Sequence, residues 1–145
     1  MKIERRFTAA NRDVFETVEW TRRSSRIANL DGSVVFEMKG AEVPASWSQL
    51  ATDIMVSKYF RKAGVPLDGG PNGLRDAGHP EFGAVALEGR GEGDPVPTGP
   101  ETSARQVIHR LAGCWRQWGE QYGYFDTAED AQAFYDELCH MMLTQ

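Results

Sequence analysis

Polar and apolar residues alternate with period two in "VVFEMK": Val34, Phe36 and Met38 interleave with Val35, Glu37 and Lys39, which is the pattern of a strand with one buried face. Asp31-Gly32 ahead of it is a tight-turn pair, because glycine takes the positive φ that such a turn needs. Val18, Trp20 and the run from Thr21 to Ile27 supply the partner strand, and Pro44 closes the hairpin. The period then becomes helical. Trp47, Leu50, Ala51, Ile54 and Met55 fall at i, i+3, i+4, i+7 and i+8 and predict one apolar face on a helix over 47–64. Ser46 or Ser48 caps its start, and Gly64 and Pro66 stop it. Beyond residue 100 two more helices are predicted. Ser103 and Gln106 have capping-box spacing, and Val107, Ile108, Leu111, Ala112, Trp115 and Trp118 form a wide apolar stripe that ends at Gly123. Thr127 and Asp130 open the last helix, with Phe134, Tyr135, Leu138, Met141 and Met142 as its apolar face. The short link favours an antiparallel pair with Trp115, Trp118 and Phe134 buried in it.

Between these parts lies residues 64–100, which holds 10 of the 15 Gly and 6 of the 7 Pro. Glycine adds unfolded-state entropy and proline removes backbone donors, so a long mobile loop is expected there. "EFGAVALEG" is its one candidate strand. The expected architecture is α+β and mainly α: a β-hairpin followed by about three helices, with a long Gly/Pro-rich loop. Residues 1–145 form one module, made of hairpin plus helix (1–62), flexible loop (64–100) and helical pair (101–145).

Hydrophobic residues make up 41% of the 145, which is enough for one core. The net charge of −5 argues against broad nucleic-acid binding. No apolar run approaches the roughly 18–20 residues of a membrane span, and the basic N-terminus has no apolar run after it, so the chain reads as cytoplasmic, with no membrane partner. Arginines at 5, 6, 22, 23 and 26 and acids over 126–136 divide the charge between the two ends. That asymmetry suits docking between parts, or onto a partner.

Candidate chemistry is sparse. His79, His109 and His140 have no metal-ligand spacing, and His109 lies on a polar flank between Arg105 and Arg110. Cys114 and Cys139 read as buried small hydrophobes. "GRGEG" lacks the strand, helix and lysine of a phosphate loop. Lys58, Arg61 and Arg110 are the candidate nucleotide-binding residues, with Tyr59 or Phe60 stacking on a base. The alternative is a solvated helix end whose cations complement the helix dipole.

"GSVVFEMKGAEVPASWSQLATDIMVSKYFRKAGVP" and "GPETSARQVIHRLAGCWRQWGEQYGYFDTAEDAQAFYDEL" closely resemble the N-terminal region of the adenosylcobalamin-dependent (class II) ribonucleotide reductases. That family carries a D-G hairpin with "VVFE", then "VEVP", "WS" and "KYFR-AGVP", and later "ETS-RQ", "R-AG-W", "GYF" and "A-AFYDEL", in this order. The resemblance covers about 18–66 and 100–143. It implies a part in reducing ribonucleotides to deoxyribonucleotides for DNA replication, by radical chemistry with a thioredoxin-type reductant.

In that family adenosylcobalamin generates a thiyl radical inside a ten-stranded α/β barrel, and all the catalytic cysteines lie beyond the matched region. Cys114 and Cys139 do not match them, so no catalytic residue carries over. The chain alone is expected to be inactive, to bind no cofactor or metal itself, and to stop at "MMLTQ" where the family runs into its barrel. The implied partners are the catalytic barrel, in the same gene or a separate chain, and other subunits through subunit contacts. Trp47, Leu50 and Ile54 would pack under the hairpin and against the Trp115 helix, and residues 58–62 would form the edge facing the barrel. Two other readings remain open: a stand-alone nucleotide-binding protein using Lys58, Arg61 and Arg110, and a purely structural or interaction domain.

Overall fold

The computed structural model describes residues 1–66 and 98–145. The candidate strand "EFGAVALEG", His79 and most of the expected mobile loop lie outside the described residues. The order of elements is a 3-10 turn (Val14–Thr17), β1 (Trp20–Ala28), β2 (Val34–Pro44), α1 (Gln49–Ile54) running into a π-helical turn (Met55–Tyr59), a short pair β3 (Val65–Pro66) and β4 (Thr98–Gly99), α2 (Ala104–Gln121) and α3 (Ala128–Thr144). The α+β architecture matches the expectation: an antiparallel hairpin and three helices.

The hairpin turns at Gly32, whose φ is +84°. Its pairing steps from Arg23↔Ala41 to Ser25↔Met38, so β2 carries one extra residue there. Gly40, at φ +70°, takes the left-handed conformation that this bulge requires. The bulge switches side-chain parity. Phe36 and Met38 face the core before it, and Ala41 and Val43 face the core after it.

The helix after the hairpin departs from expectation in length and in face. It ends at Tyr59, because Phe60 turns to an extended conformation and buries its ring. Leu50 and Ile54, expected inside, are 69% and 48% exposed, while Trp47, Thr52, Val56 and Phe60 are buried. Ala51 and Met55 pack against the core as expected. Thr52 joins it because its hydroxyl donates to Ser48 O at 3.0 Å, so a nominally polar residue enters the core with its donor satisfied. Ser48 is the cap.

Both expected capping arrangements form, at Ser103/Gln106 on α2 and at Thr127/Asp130 on α3, and Gly123 leaves α2 at φ +66°. The α2–α3 interface corrects the expected stripe. Trp115 and Trp118 face outward, 43% and 52% exposed, while Ala104, Val107, Ile108, Ala112 and Gly119 face inward. Small residues let the helices approach closely. At Gly119 an added methyl would run into the Phe125 ring, with Cζ at 2.7 Å. That ring packs on the half-buried Phe134 at 5.3 Å. Gly119→Ala is therefore expected to destabilise by roughly 1–2 kcal/mol despite the gain in helix propensity. Gly113→Ala, whose methyl meets only His109 ring atoms at 3.7–3.8 Å, should stabilise by up to about 1 kcal/mol. Urea midpoints that move the same way for both variants would contradict this packing.

Candidate functional site

The basic end of the α1 segment is built around a buried carboxylate. Glu101 is 2% exposed. It accepts from Arg110 Nε at 2.8 Å and Nη2 at 3.1 Å, and from the Arg61 backbone N–H at 2.8 Å. The Glu101 N–H donates to Arg61 O at 2.9 Å, and Arg110 Nη2 also donates to Tyr59 O at 3.0 Å. Arg110 thus forms a forked pair that closes the end of the π-helical turn onto the segment leading into α2. Lys62 lies 4.0 Å from the Phe36 ring centroid and donates to Val56 O. Burial pushes its pKa down. Of the candidate nucleotide residues, Lys58 and Arg61 have exposed side chains. The structure brings Arg61 and Arg110 together through Glu101, and the Arg110 charge is already matched there.

Glu42 ties the hairpin to the start of α2. It accepts from Ser103 Oγ at 2.6 Å and pairs with Arg105 at 3.2 Å, while Arg105 lies 4.0 Å above the Trp20 ring.

The basic N-terminus and the acidic α3, left open between internal docking and a partner, dock on each other. Arg5 pairs with Glu129 at 2.9 Å and Asp136 at 2.7 Å. The Met1 amine pairs with Asp126, and Ile3 N–H donates to Asp130 at 2.8 Å. Glu137 receives the N–H groups of Arg6, Phe7 and Thr8 and the Thr8 hydroxyl, at 2.7–3.0 Å. Burial pushes the Glu137 pKa up, but the Thr8 hydroxyl and these N–H groups outweigh it, so it falls below its ordinary value. The Ile3 N–H and then the Thr127 hydroxyl lower Asp130 likewise.

A carboxylate depressed in the folded state stabilises fully above its unfolded pKa, about 4. That stabilisation is lost as pH falls through the folded value. Thermal midpoints should therefore drop below about pH 4. Glu137→Gln, already weaker at neutral pH, should show a shallower acid limb. Parallel limbs for variant and wild type would remove the strap from the explanation.

Among the histidines and cysteines, Cys139 is buried as expected, while His109 and Cys114 differ. His109, placed on a polar flank by its neighbours, is buried, with Nδ1 2.6 Å from Tyr135 Oη. The hydroxyl of a core tyrosine on the facing helix supplies the partner that lets a histidine enter. His140 stacks on Phe7 at 5.3 Å. Cys139 is buried and Cys114 only half-buried, and both are free thiols. Burial pushes the Cys139 thiol well up, which keeps it protonated and a poor nucleophile. Among the described residues no three His, Cys, Asp or Glu side chains are grouped to hold a metal ion, and no helix is long and apolar enough to cross a membrane.

Sequence reasoning missed Glu101 and Glu137. Glu101 has its arginine nine positions on, but its Arg61 N–H partner, like the residues 6–8 that bind Glu137, comes from a distant segment that no local spacing marks.

A cleft lined by Arg6, Phe7, Thr8, Arg12 and Thr17 holds about 200 Å³. That is less than a drug-sized ligand occupies and far below a corrin macrocycle, so these residues do not fit a cobalamin.

Comparison with known proteins gives consistent results. The N-terminal family model described as class II vitamin B12-dependent ribonucleotide reductase matches residues 21–145. A vitamin B12-dependent ribonucleotide reductase of Agrobacterium fabrum is 46% identical over 147 residues, and one of Bradyrhizobium diazoefficiens is 42% identical over 151. A third, of Streptomyces avermitilis, is 35% identical over 146 residues. Each alignment takes in 100% of this chain, and the chain spans 12% of the length of each relative.

Proposed function

Since the chain belongs to the class II vitamin B12-dependent ribonucleotide reductases and matches their N-terminal region, we propose that it serves as the non-catalytic N-terminal module of such a reductase. In this reading the complete enzyme reduces ribonucleotides to deoxyribonucleotides, and adenosylcobalamin supplies the radical at a site elsewhere in that enzyme. The observation that carries the reading is the end-to-end match to 12% of much longer reductases. The site geometry agrees with it. The buried carboxylates Glu101 and Glu137 are engaged in holding chain segments together.

The module's own residues orient it: Glu101–Arg110 joins the α1 segment to α2, and Glu137 anchors the N-terminal strap on α3. A phosphate contact through Lys58, Arg61 and Arg110 belongs to the same proposal. Lys58 and Arg61 are exposed for it, whereas Arg110 must first release Glu101.

The test is a complete reductase of this family with the segment deleted. Cobalamin binding should persist in the remainder while deoxyribonucleotide formation falls. Full turnover without the segment, or adenosylcobalamin binding by the segment itself, would sink the proposal.

A further inference from the structure

Resting on that reading, we propose that the module docks against the rest of the reductase through the aromatic stripe of α2, formed by Trp115, Trp118 and Tyr122 with Tyr124 beside it. The basic end of the α1 segment is not the docking edge. Residues 115, 118 and 122 are three and four apart, so they share one side of the helix. They are 43%, 52% and 65% exposed, and Tyr124 is 58% exposed with its ring 6.2 Å from that of Tyr122. Aromatic side chains are the largest apolar surfaces a chain owns, and they are enriched in the cores of protein interfaces. Here four of them stand together at the C-terminal end of α2 and just beyond it.

The chemistry around the stripe identifies its occupant. Arg116, which pairs with Glu120 at 3.0 Å, reaches across to Gln132 of α3 and so lies off the stripe. The stripe itself is made of uncharged aromatic side chains, so it offers no charge to phosphates or lipid headgroups and suits an apolar protein surface. At the basic end two of the cations are engaged within the fold, Arg110 with Glu101 and Lys62 over Phe36. The matched relatives are reductases of which this chain spans 12%, so a protein surface large enough to cover the stripe belongs to the same enzyme.

Hydroxyl-radical footprinting of the complete reductase tests this. Trp115 and Trp118 should be labelled several-fold more slowly than Tyr59, which is 52% exposed at the basic end. Losing two buried interface tryptophans shifts a docked equilibrium by a factor of about thirty or more. Proteolytic release of the segment from a Trp115→Ser/Trp118→Ser reductase should therefore accelerate by about that factor. Labelling of both tryptophans as fast as Tyr59 overturns the proposal. So does a variant enzyme that falls to half its native mass without faster release of the segment, because a second copy then covers the stripe. Failure of the deletion experiment above would remove the module reading itself. A module that is needed for turnover, yet keeps both tryptophans open, removes only this docking face.

Discussion

Replacing Arg110 by alanine is expected to destabilise the folded chain by roughly 3–5 kcal/mol, because it strands a buried carboxylate. Glu101 is 2% exposed, and its two oxygens are shared between the Arg110 fork and the Arg61 N–H. Without the guanidinium, one backbone N–H faces a charge that water barely reaches. The Arg110–Tyr59 carbonyl bond disappears as well. Urea denaturation reads the loss directly. The double variant Arg110→Met/Glu101→Leu should recover most of it, since removing both partners of a buried pair costs far less than removing one. A single-variant cost under about 1 kcal/mol would mean that the pair acts as an exposed one. Lys58→Ala should leave the midpoint unchanged. A nucleotide-binding defect in Arg110→Ala must therefore be read against its folding defect, whereas one in Lys58→Ala stands alone.

Trp47→Ala should be of similar size, roughly 3–5 kcal/mol, as a large aromatic side chain removed from a packed site. Trp47 is 3% exposed, and its indole N–H donates to Leu143 O at 2.8 Å, linking the start of α1 to the last turn of α3. Its own carbonyl receives the Arg23 guanidinium, which also holds Ala45 O at 2.9 Å. Trp47→Phe keeps most of the volume and loses the donor, so it should cost only about 1–3 kcal/mol. Thermal unfolding that ranks the phenylalanine variant below the alanine variant would refute this division between packing and hydrogen bond.

The elements that were legible in the sequence are those set by local chemistry. Asp31-Gly32 marks the hairpin because only a few residue types take positive φ. Ser103/Gln106 and Thr127/Asp130 mark helix starts because a side chain three residues away can reach the unpaired N–H groups. The family resemblance, carried by ordered motifs, agrees with the comparisons. What stayed hidden depends on hydrogen bonds and backbone conformations that residue type and period alone do not announce. Thr52 counts as polar until Ser48 O accepts its hydroxyl, so the buried face takes in Thr52 and Val56 and leaves Leu50 and Ile54 exposed. Gly40 breaks the strand period, so a strict alternation through Met38 does not continue to Ala41 and Val43. Trp115 and Trp118 were assigned inward for their bulk, yet the interface selects small residues. The charges at Lys58, Arg61 and Arg110 were visible as a candidate site. That Glu101 is buried with Arg110 required the end of the α1 segment to meet that pair, through the Arg61 N–H and the Tyr59 carbonyl.

The strap held by Glu137 and Asp130 also constrains the order of assembly. The hairpin pairs residues close in sequence, whereas Thr8 and Glu137 are 129 positions apart and Ile3 and Asp130 are 127 apart. Long loops close slowly, and on the ribosome the first eight residues have no partner until α3 has been made. The hairpin can therefore form while synthesis is still under way. Residues 1–8, made before the hairpin, are among the last to find their place.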